Sequence, residues 1–251
     1  MLTKQRHRYL LDKLQIQGQV VAKTIAQELA VSEDTIRRDL RELAKQGLVQ
    51  RVHGGALPLS PALGDFNARL QIGREDKLEL AKAAVALVQT GQTIFLDGGT
   101  TNQQLVKQLP QDLAITIITH SPSIAMELVD YPKIEVILIG GKLFKHSIVT
   151  VGATALEAIH RLRFDLYFMG VTGVHSHYGL TTGDLEEATM KRAISQQAAE
   201  TIVLASSEKL DKVSPYTIGA LNTVSSLIVN RSASEAILSD YETAGVSMIR
   251  A

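Results

Sequence analysis

Short apolar segments alternate with helical segments between residues 93 and 249, and this alternation is the strongest constraint on the fold. Each apolar segment has four to six residues and is bounded by polar or glycine-containing stretches. Such strands between helices indicate a mainly parallel sheet with helices on both faces. A helical bundle and an all-β sandwich do not fit this alternation of strands and helices. The sequence predicts strands at 93–96, 114–119, 134–139, 164–169, 201–205, 226–229 and 246–249, and helices at 76–89, 101–109, 122–129, 154–160, 184–199 and 233–244.

The N-terminal part has a different pattern, which predicts a helix-turn-helix after a first helix at 2–14. Apolar residues at helical spacing predict a second helix at 21–30, and a third follows over 31–43 after a tight turn. Ser32 is a favourable N-cap for the third helix. Ile36, Leu40 and Leu43 fall on one side of that helix and form its apolar stripe.

The opposite side of the third helix is basic. Arg38 and Arg41 lie across from the stripe, with Arg37 and Thr35 on its flanks. Arginines beside a short polar side chain suit a helix that contacts phosphates and base edges. A solvated surface helix is the alternative, and the preceding helix and turn favour DNA binding.

A short hairpin is predicted after the third helix. Gly47 is a plausible C-cap, and residues 48–56 alternate and end in glycines, as in the wing of a winged helix. The predicted DNA contacts on the third helix and wing are Ser32, Thr35, Arg37, Arg38, Arg41, Arg51 and His53.

Composition supports two domains with different partners. Residues 1–57 hold ten Lys or Arg and six Asp or Glu, so their formal charge is +4, while the rest of the chain carries −4. A basic module on an acidic body fits nucleic-acid binding. We predict a DNA-binding domain at 1–57, a linker at 58–70 that begins in a proline-containing stretch, and a sensing and oligomerisation domain at 71–251. Without cysteine, a long apolar run or a signal-like N-terminus, we expect a cytoplasmic protein with no disulfide, cofactor, metal or membrane partner.

Polar clusters follow the predicted strands, and ligands of open α/β sheets bind beyond these carboxyl ends. The first cluster is Asp97-Gly98-Gly99-Thr100-Thr101, which leads into a helix. Glycines and a helix N-terminus can hold an anion, although a tight structural turn explains the same residues. Further clusters begin at His120, Gly140, Gly170 and Ser206, so several strand ends together indicate a polar anion pocket.

The motifs resemble those of the DeoR family of bacterial transcriptional regulators. At the N-terminus they are Val31-Ser32-x-x-Thr35-Ile36-Arg37-Arg38-Asp39-Leu40-x-x-Leu43 and Gly47-x-Val49-x-Arg51-x-His53-Gly54-Gly55-Ala56. In the larger domain they are Leu96-Asp97-x-Gly99-Thr100-Thr101, Ile139-Gly140-Gly141, Gly179-Leu180-Thr181-Thr182, Glu187-x-x-x-Lys191 and Ser207-x-Lys209.

This resemblance implies a winged helix-turn-helix followed by an α/β sensor similar to ribose-5-phosphate isomerase and glucosamine-6-phosphate deaminase. It implies that the sensor binds a phosphorylated sugar or related metabolite, and we predict a repressor of a carbohydrate operon that this metabolite releases from double-stranded DNA. Because operator half-sites are normally read by paired modules, we also predict a homo-oligomer, dimer or tetramer. By the same likeness, the phosphate end or its neighbour is held by Asp97, Gly99, Thr100 and Thr101, the pocket is completed by Gly140, Gly141 and Lys209, and Glu187 bonds sugar hydroxyls.

Two positions depart from the family pattern. Thr172 stands where an acid is common, and His120 stands where Asn is usual; both are counted among the effector-binding candidates. Threonine does not ionise near neutral pH and is a poor general base, which argues against catalysis. A sugar-phosphate isomerase or deaminase with an accessory DNA-binding domain stays the alternative, and so does a regulator that has lost its effector.

Other charged residues have simpler interpretations. His175 and His177 stand two apart in a loop, where a metal site is the minor alternative to a solvated or pocket-lining segment. The pairs Glu186-Glu187 and Asp211-Lys212 are most simply solvated charges.

Overall fold

The computed structural model describes residues 1–64 and 66–251 and contains a small N-terminal domain and a larger α/β domain. The N-terminal domain is a winged helix. Its elements are α1 (Thr3–Gln17), β1 (Val20–Val21), α2 (Ala22–Glu28), α3 (Glu33–Lys45), β2 (Val49–Val52) and β3 (Gly55–Pro58). The strands form an antiparallel sheet in the order β1-β3-β2. The predicted helix-turn-helix and wing are therefore present.

Helix α3 is formed as its sequence predicts. The Ser32 hydroxyl accepts the Thr35 N–H at 3.2 Å and caps the helix. The apolar stripe packs into the core of the small domain, where Ile36, Leu40 and Leu43 are buried against Leu10 and Ile25. The basic side consequently stays exposed.

The described residues of the segment between the two domains contain regular structure. Strand β3 runs through Leu57 to Pro58, a 3-10 turn covers Pro61–Leu63, and a short helix α4 (Phe66–Gln71) follows. Ala62 and Phe66 are buried. Sequence periodicity missed α4, because one and a half turns are too short for a helical repeat to show.

The larger domain is built on a seven-stranded parallel sheet, as predicted. Its helices are α5 (Arg74–Val85), α6 (Thr100–Gln108), α7 (Pro122–Glu127), α8 (Ala153–His160), α9 (Leu185–Gln197) and α10 (Glu235–Thr243). Its strands are β4 (Thr93–Leu96), β5 (Ile115–Thr119), β6 (Ile134–Leu138), β7 (Lys142–Phe144), β8 (Val149–Val151), β9 (Phe164–Gly170), β10 (Gly173–His175), β11 (Gly179–Thr182), β12 (Ala198–Ala205), β13 (Tyr216–Gly219), β14 (Ser226–Val229) and β15 (Ser247–Arg250).

The order of the large sheet is β15-β14-β12-β9-β4-β5-β6, and all its neighbours pair in parallel. One apolar cluster on one face includes Phe95, Tyr167 and Val203, and another on the other face includes Ile94, Leu96 and Phe168. Adjacent residues of β4 therefore point into different cores, which explains why the central strands are apolar throughout.

Two small antiparallel sheets were not predicted. Strands β7 and β8 form a hairpin, and β11 pairs with β10 on one side and with the distant β13 on the other. Their segments contain glycine, threonine and histidine, which are typical of loops. Pairing with a strand about 35 residues away is a tertiary feature that local pattern does not contain.

Candidate functional site

A cavity lies at the carboxyl ends of β4 and β9, where the direction of chain progression in the large sheet reverses. The chain runs outward from β4 through β5 to β6, and then returns to the other side of β4 with β9, β12, β14 and β15. Such a switch point is where open α/β sheets bind ligands. The cavity volume is about 40 Å³. A single water needs roughly 10–15 Å³ on this measure, so there is room for a small anionic group.

The cavity walls come from several separate parts of the chain. The β4–α6 turn, the end of β9, α9 with the strand before it, and the turn after β12 each contribute, together with the segment between the domains. The lining residues are Ala62, Arg69, Ile72, Lys77, Gly98, Gly99, Thr100, Thr101, Asn102, Ser147, Gly170, Val171, Thr172, Thr182, Glu187, Lys191, Leu204, Glu208 and Lys209.

The N-terminus of α6 forms one wall. Gly99 is its N-cap with φ 120°, a backbone conformation that favours glycine, and the helix begins at Thr100. Among the described residues, the buried Thr101 Oγ1 and Asn102 Oδ1 have no hydrogen-bond partner. The Thr101 hydroxyl can donate to an anionic ligand at this helix N-terminus, whereas Asn102 Oδ1 only accepts and could pair with a hydroxyl of the same ligand.

Among the described residues, four basic side chains line the same cavity: Arg69, Lys77, Lys191 and Lys209. Burial lowers the pKa of Lys209 to about 8; Glu208 opposes this shift, while Lys77, Arg69 and Lys191 add to it. Burial likewise lowers the pKa of Lys77. These basic groups are close enough to repel one another in a poorly solvated space, and a bound anion would relieve that repulsion.

Asp97 is the centre of a buried polar network behind this wall. Its carboxylate pairs with Lys191, lies 2.8 Å from His120 Nε2, and accepts bonds from Tyr167 Oη at 3.1 Å and the Gly170 N–H at 2.9 Å. Burial acts to raise the pKa of Asp97, but Lys191 and His120 together hold it well below the usual range. Asp97 is thus a buried carboxylate that positions Lys191 at the cavity.

His120 belongs to the same network. Its Nε2 faces the Asp97 carboxylate and its Nδ1 lies 2.9 Å from the Thr150 carbonyl oxygen. Both partners are acceptors, and both ring nitrogens donate only in the imidazolium form. The side chain is fully buried and does not line the cavity.

The structure gathers some predicted effector residues and separates others. The cavity lining includes Gly99, Thr100, Thr101, Thr172, Glu187 and Lys209, while Asp97 and His120 lie behind it. Gly140 and Gly141 are exposed and are not among the lining residues. They follow β6, the edge strand two positions from β4, so their turn lies away from the switch point.

The prediction of solvated charges at Glu186 and Glu187 is wrong for Glu187, which is buried in the cavity wall. Its carboxylate accepts a bond from the Thr182 hydroxyl at 3.2 Å, while Glu186 pairs with Lys142 at the surface. Thr172, at the position where an acid is common, pairs with the Ser214 hydroxyl at 2.7 Å.

Sequence analysis did not include Arg69, Lys77 or Lys191 among the site residues. Lys191 could have been found, because it is four residues after Glu187 and therefore on the same face of α9. Arg69 and Lys77 carry no comparable local signal, because each reaches the cavity by tertiary packing alone.

The predicted DNA contacts lie on the outer surface of the winged helix. Arg37 pairs with Glu33 at 2.6 Å, and both Arg38 and Arg41 lie near Asp34, at 3.4 and 3.5 Å. These pairs are within one exposed helix face, so they can open when phosphates compete for the arginines. Thr35 is half-buried, and the remaining predicted contacts, Ser32, Arg51 and His53, are exposed.

Asp39, on the inner side of α3, connects this helix to α1. Arg6 donates to both its carboxylate oxygens, at 2.7 and 3.0 Å, and His7 Nε2 lies 3.2 Å away. His7, Asp39 and Glu42 have ligand atoms within 4.8 Å of one another. Because Arg6 engages both Asp39 oxygens, the cluster is a bridge between helices and not a metal site.

The other histidine pair has no third metal ligand nearby among the described residues. The His175 and His177 rings each pack on Tyr178 with centroids 4.9 Å apart, and His175 Nδ1 accepts the His177 N–H.

A winged helix joined to an α/β domain with an anion-type cavity defines a two-domain, ligand-sensing DNA-binding protein. A model described as the DeoR-like helix-turn-helix domain matches residues 6–61, and one described as the DeoR C terminal sensor domain matches residues 73–231. The chain belongs to the DeoR family of transcriptional regulators.

Several known proteins are similar over nearly the whole chain. The transcriptional regulator GlpR of Haloferax volcanii is 32% identical over 99% of this chain and 98% of its own length. The transcriptional repressor GlcR of Bacillus subtilis is 32% identical over 99% and 96%. The glycerol-3-phosphate regulon repressor of Escherichia coli is 30% identical over 89% of each chain.

A solved ribose 5-phosphate isomerase A from Methanocaldococcus jannaschii is 22% identical over 54% of each chain, with a TM-score of 0.41.

Among the helices of the described residues, none has the length and apolar character needed to span a membrane.

Proposed function

We propose that this chain is a sequence-specific DNA-binding repressor of a carbohydrate operon, and that a phosphorylated sugar or related anionic metabolite releases it from its operator. The observation that carries the proposal is the cavity at the β4–β9 switch point, where basic side chains meet the N-terminus of α6. Relatives named as repressors, including one named for a glycerol-3-phosphate regulon, support the same direction of control.

On the DNA side, α3 enters the major groove and the wing lies along the backbone. Arg38 reads a base edge, Arg37 and Arg41 contact phosphates, and Arg51 and His53 of the wing add further contacts. Operator half-sites are normally read by paired modules, so the protein acts as a homo-oligomer.

On the effector side, Gly99, Thr100 and Thr101 hold the anionic group at the start of α6 while Lys191 and Lys209 neutralise it. Glu187 accepts bonds from sugar hydroxyls. Asp97 and His120 keep Lys191 in place and do not touch the ligand. Their proposed role is therefore to position Lys191, and not to bind the effector directly.

An isomerase or deaminase is the second candidate, and one observation favours it. Glu187 is a buried carboxylate in the cavity wall beside lysines, which is a setting where a carboxylate can move protons. Against it, Thr172 supplies a hydroxyl where an acid is common, and the Asp97 carboxylate is already engaged by several donors. Turnover of a pentose or hexose phosphate by the purified protein would establish the enzyme.

Lys209→Ala tests the regulator. The full-length variant is expected to bind operator with wild-type affinity in the absence of ligand, and to stay bound when a phosphorylated sugar that releases wild type is added. A coupling of about 1–3 kcal/mol gives a 5–150-fold change of operator affinity, which fluorescence anisotropy can measure. Lys212→Ala is the matched control, because Lys212 is not among the lining residues.

Two outcomes of this experiment would contradict the proposal. Loss of operator binding without ligand would make Lys209 a structural residue. Unchanged release would mean that the anion binds elsewhere. A thermal-shift screen with glycerol phosphate, pentose phosphates and hexose phosphates identifies the ligand to use, since binding to the folded state raises the melting temperature.

A further inference from the structure

Residues 62–64 and 66–72 lie between the two ranges matched by the family models, and some of them line the sensor cavity. The models cover residues 6–61 and 73–231. Ala62, Arg69 and Ile72 line the cavity together with residues of the β4–α6 turn and the turn after β12. The chain that leads from the winged helix to the sensor domain is thus one wall of the proposed effector site.

Specific contacts hold this segment against the sensor domain. His146 Nε2 lies 3.0 Å from the Leu63 carbonyl oxygen, and Arg69 Nη2 donates to the His146 carbonyl oxygen at 3.1 Å. Lys77 Nζ donates to the Arg69 carbonyl oxygen at 2.5 Å. A Cβ on Gly183 would lie 2.7 Å from Leu63 Cδ2, so the absence of a side chain at Gly183 makes room for the segment.

Arg69 has the chemistry of an anion ligand. Among the described residues that line the cavity, four are basic and two, Glu187 and Glu208, are acidic, and Arg69 belongs to the segment between the domains. A guanidinium is always charged and presents a planar set of donors that matches phosphate oxygens. Arg69 and Lys209 line the same cavity, and the charge of Arg69 contributes to lowering the pKa of Lys209.

We propose that Arg69 binds the anionic end of the effector, so that the ligand itself connects the interdomain segment to the sensor cavity. This inference rests on the proposed function and adds how effector binding is coupled to operator affinity. A ligand changes operator affinity only if it binds the DNA-competent and DNA-incompetent arrangements unequally. Because Arg69 moves with the segment that leads to the winged helix, ligand affinity depends on where that segment lies.

Arg69→Gln in the full-length protein is the test, with Arg74→Gln as the matched control. Arg74 is an exposed arginine five residues further along and is not among the lining residues. The probes are inorganic phosphate and the phosphorylated compound that shifts wild type most in a thermal-shift panel. Titration calorimetry measures ligand affinity, and fluorescence anisotropy measures operator affinity with and without ligand.

We expect Arg69→Gln to bind operator within about twofold of wild type and to bind the phosphorylated probe at least tenfold more weakly, with release reduced in parallel. A tenfold change corresponds to about 1.4 kcal/mol. Arg74→Gln should behave as wild type. Arg69→Lys keeps the charge without the planar donors, so its affinity for the probe should lie between those of wild type and Arg69→Gln. It replaces Arg69→Gln as the test variant if Arg69→Gln does not fold.

The inference is overturned if Arg69→Gln keeps wild-type ligand affinity and release while Lys209→Ala loses them, a result that leaves the proposed function standing. It is also overturned if the Arg69 variants lose operator binding without ligand, because Arg69 then acts only in holding the domains. If wild type responds to no phosphorylated probe, the proposed function fails and this inference fails with it.

Discussion

At the scale of single residues, we propose that the arginines on the exposed face of α3 have different roles, one reading a base and the others contacting the DNA backbone. Arg38 lies opposite the buried stripe, its side chain is 68% exposed, and its carboxylate neighbour Asp34 is 67% exposed. Its guanidinium can therefore leave that neighbour for a guanine at little cost.

We expect Arg38→Ala to weaken specific operator binding by about 1–3 kcal/mol and to relax preference at one operator position. Arg37→Ala and Arg41→Ala should instead reduce the salt dependence of binding with little change of preference. Binding titrations against single-base operator variants at two salt concentrations measure both effects. If Arg38→Ala binds all these variants like wild type, the assignment of this helix face is wrong.

At the same scale, the lowered pKa of Lys209 predicts how the stability of the protein changes with pH. Its pKa is lowered from 10.5 to about 8 in the folded protein, so the protonated form is disfavoured by folding. Without ligand, this destabilisation is fully present below about pH 8 and is relieved as the pH rises from about 8 towards 10.5, where the unfolded chain binds more protons.

The proposed anion binding should have the opposite pH dependence, because it would need protonated Lys209. A phosphate monoester is already mostly dianionic above pH 7, so its affinity should fall above about pH 8, by up to tenfold per pH unit. Calorimetry in buffers of different ionisation enthalpy should also show proton uptake near pH 8. The Lys209→Gln profile should be flat over this range, whereas an equally flat wild-type profile would exclude protonated Lys209 from the site.

At the scale of elements, the wing depends on close backbone approach at one glycine. Gly55 pairs with Val21 of β1 on one side and Val52 of β2 on the other. A Cβ at Gly55 would lie 1.9 Å from the Val20 carbonyl oxygen, so the β1–β3 pairing would have to open.

We expect Gly55→Ala to lower the free energy of unfolding of the winged helix by about 3 kcal/mol, at the upper end of ordinary single substitutions. Gly54→Ala is the control, since its Cβ would meet nothing within 4 Å and only its φ of +79° is unfavourable, at about 1–2 kcal/mol. Thermal unfolding and operator binding measure the difference. Equal losses in the two variants would show that the close approach to Val20 does not matter.

At the scale of the whole molecule, the sensor domain is the proposed oligomerisation unit. The winged helix has a small core of its own and little apolar surface to spare. The larger domain exposes apolar side chains near the edge strand β6, among them Met126 (72%), Val129 (70%) and Leu138 (49%). Exposed apolar groups of this kind are typical of interaction surfaces.

Residues 66–251, which keep α4 on the sensor domain, should therefore sediment as a dimer or larger species at micromolar concentration. Sedimentation equilibrium of this fragment and of the full chain makes the comparison. If the fragment is monomeric and the full chain is oligomeric, the interface lies in the winged helix. If both are monomeric, the proposal that paired modules read the operator half-sites is wrong.

The sequence by itself determined the local elements of this protein. Ser32 capped α3 as expected, the apolar stripe of Ile36, Leu40 and Leu43 is buried, and the seven strands of the large sheet occur close to their predicted positions. The β4–α6 turn with Gly99 and Thr100 was also recognised. These features depend on interactions within a few residues, so periodicity, capping and glycine placement are sufficient to predict them.

Tertiary structure alone decided which strand ends form the site. The sheet order brings β4, β9 and β12 together and leaves Gly140 and Gly141 outside, and it turns the Asp97 carboxylate towards Lys191. It also brings Arg69, from the segment between the domains, to the cavity. These contacts join residues tens of positions apart. Local sequence patterns do not determine strand order or the packing of a connecting segment, so they could not predict these contacts.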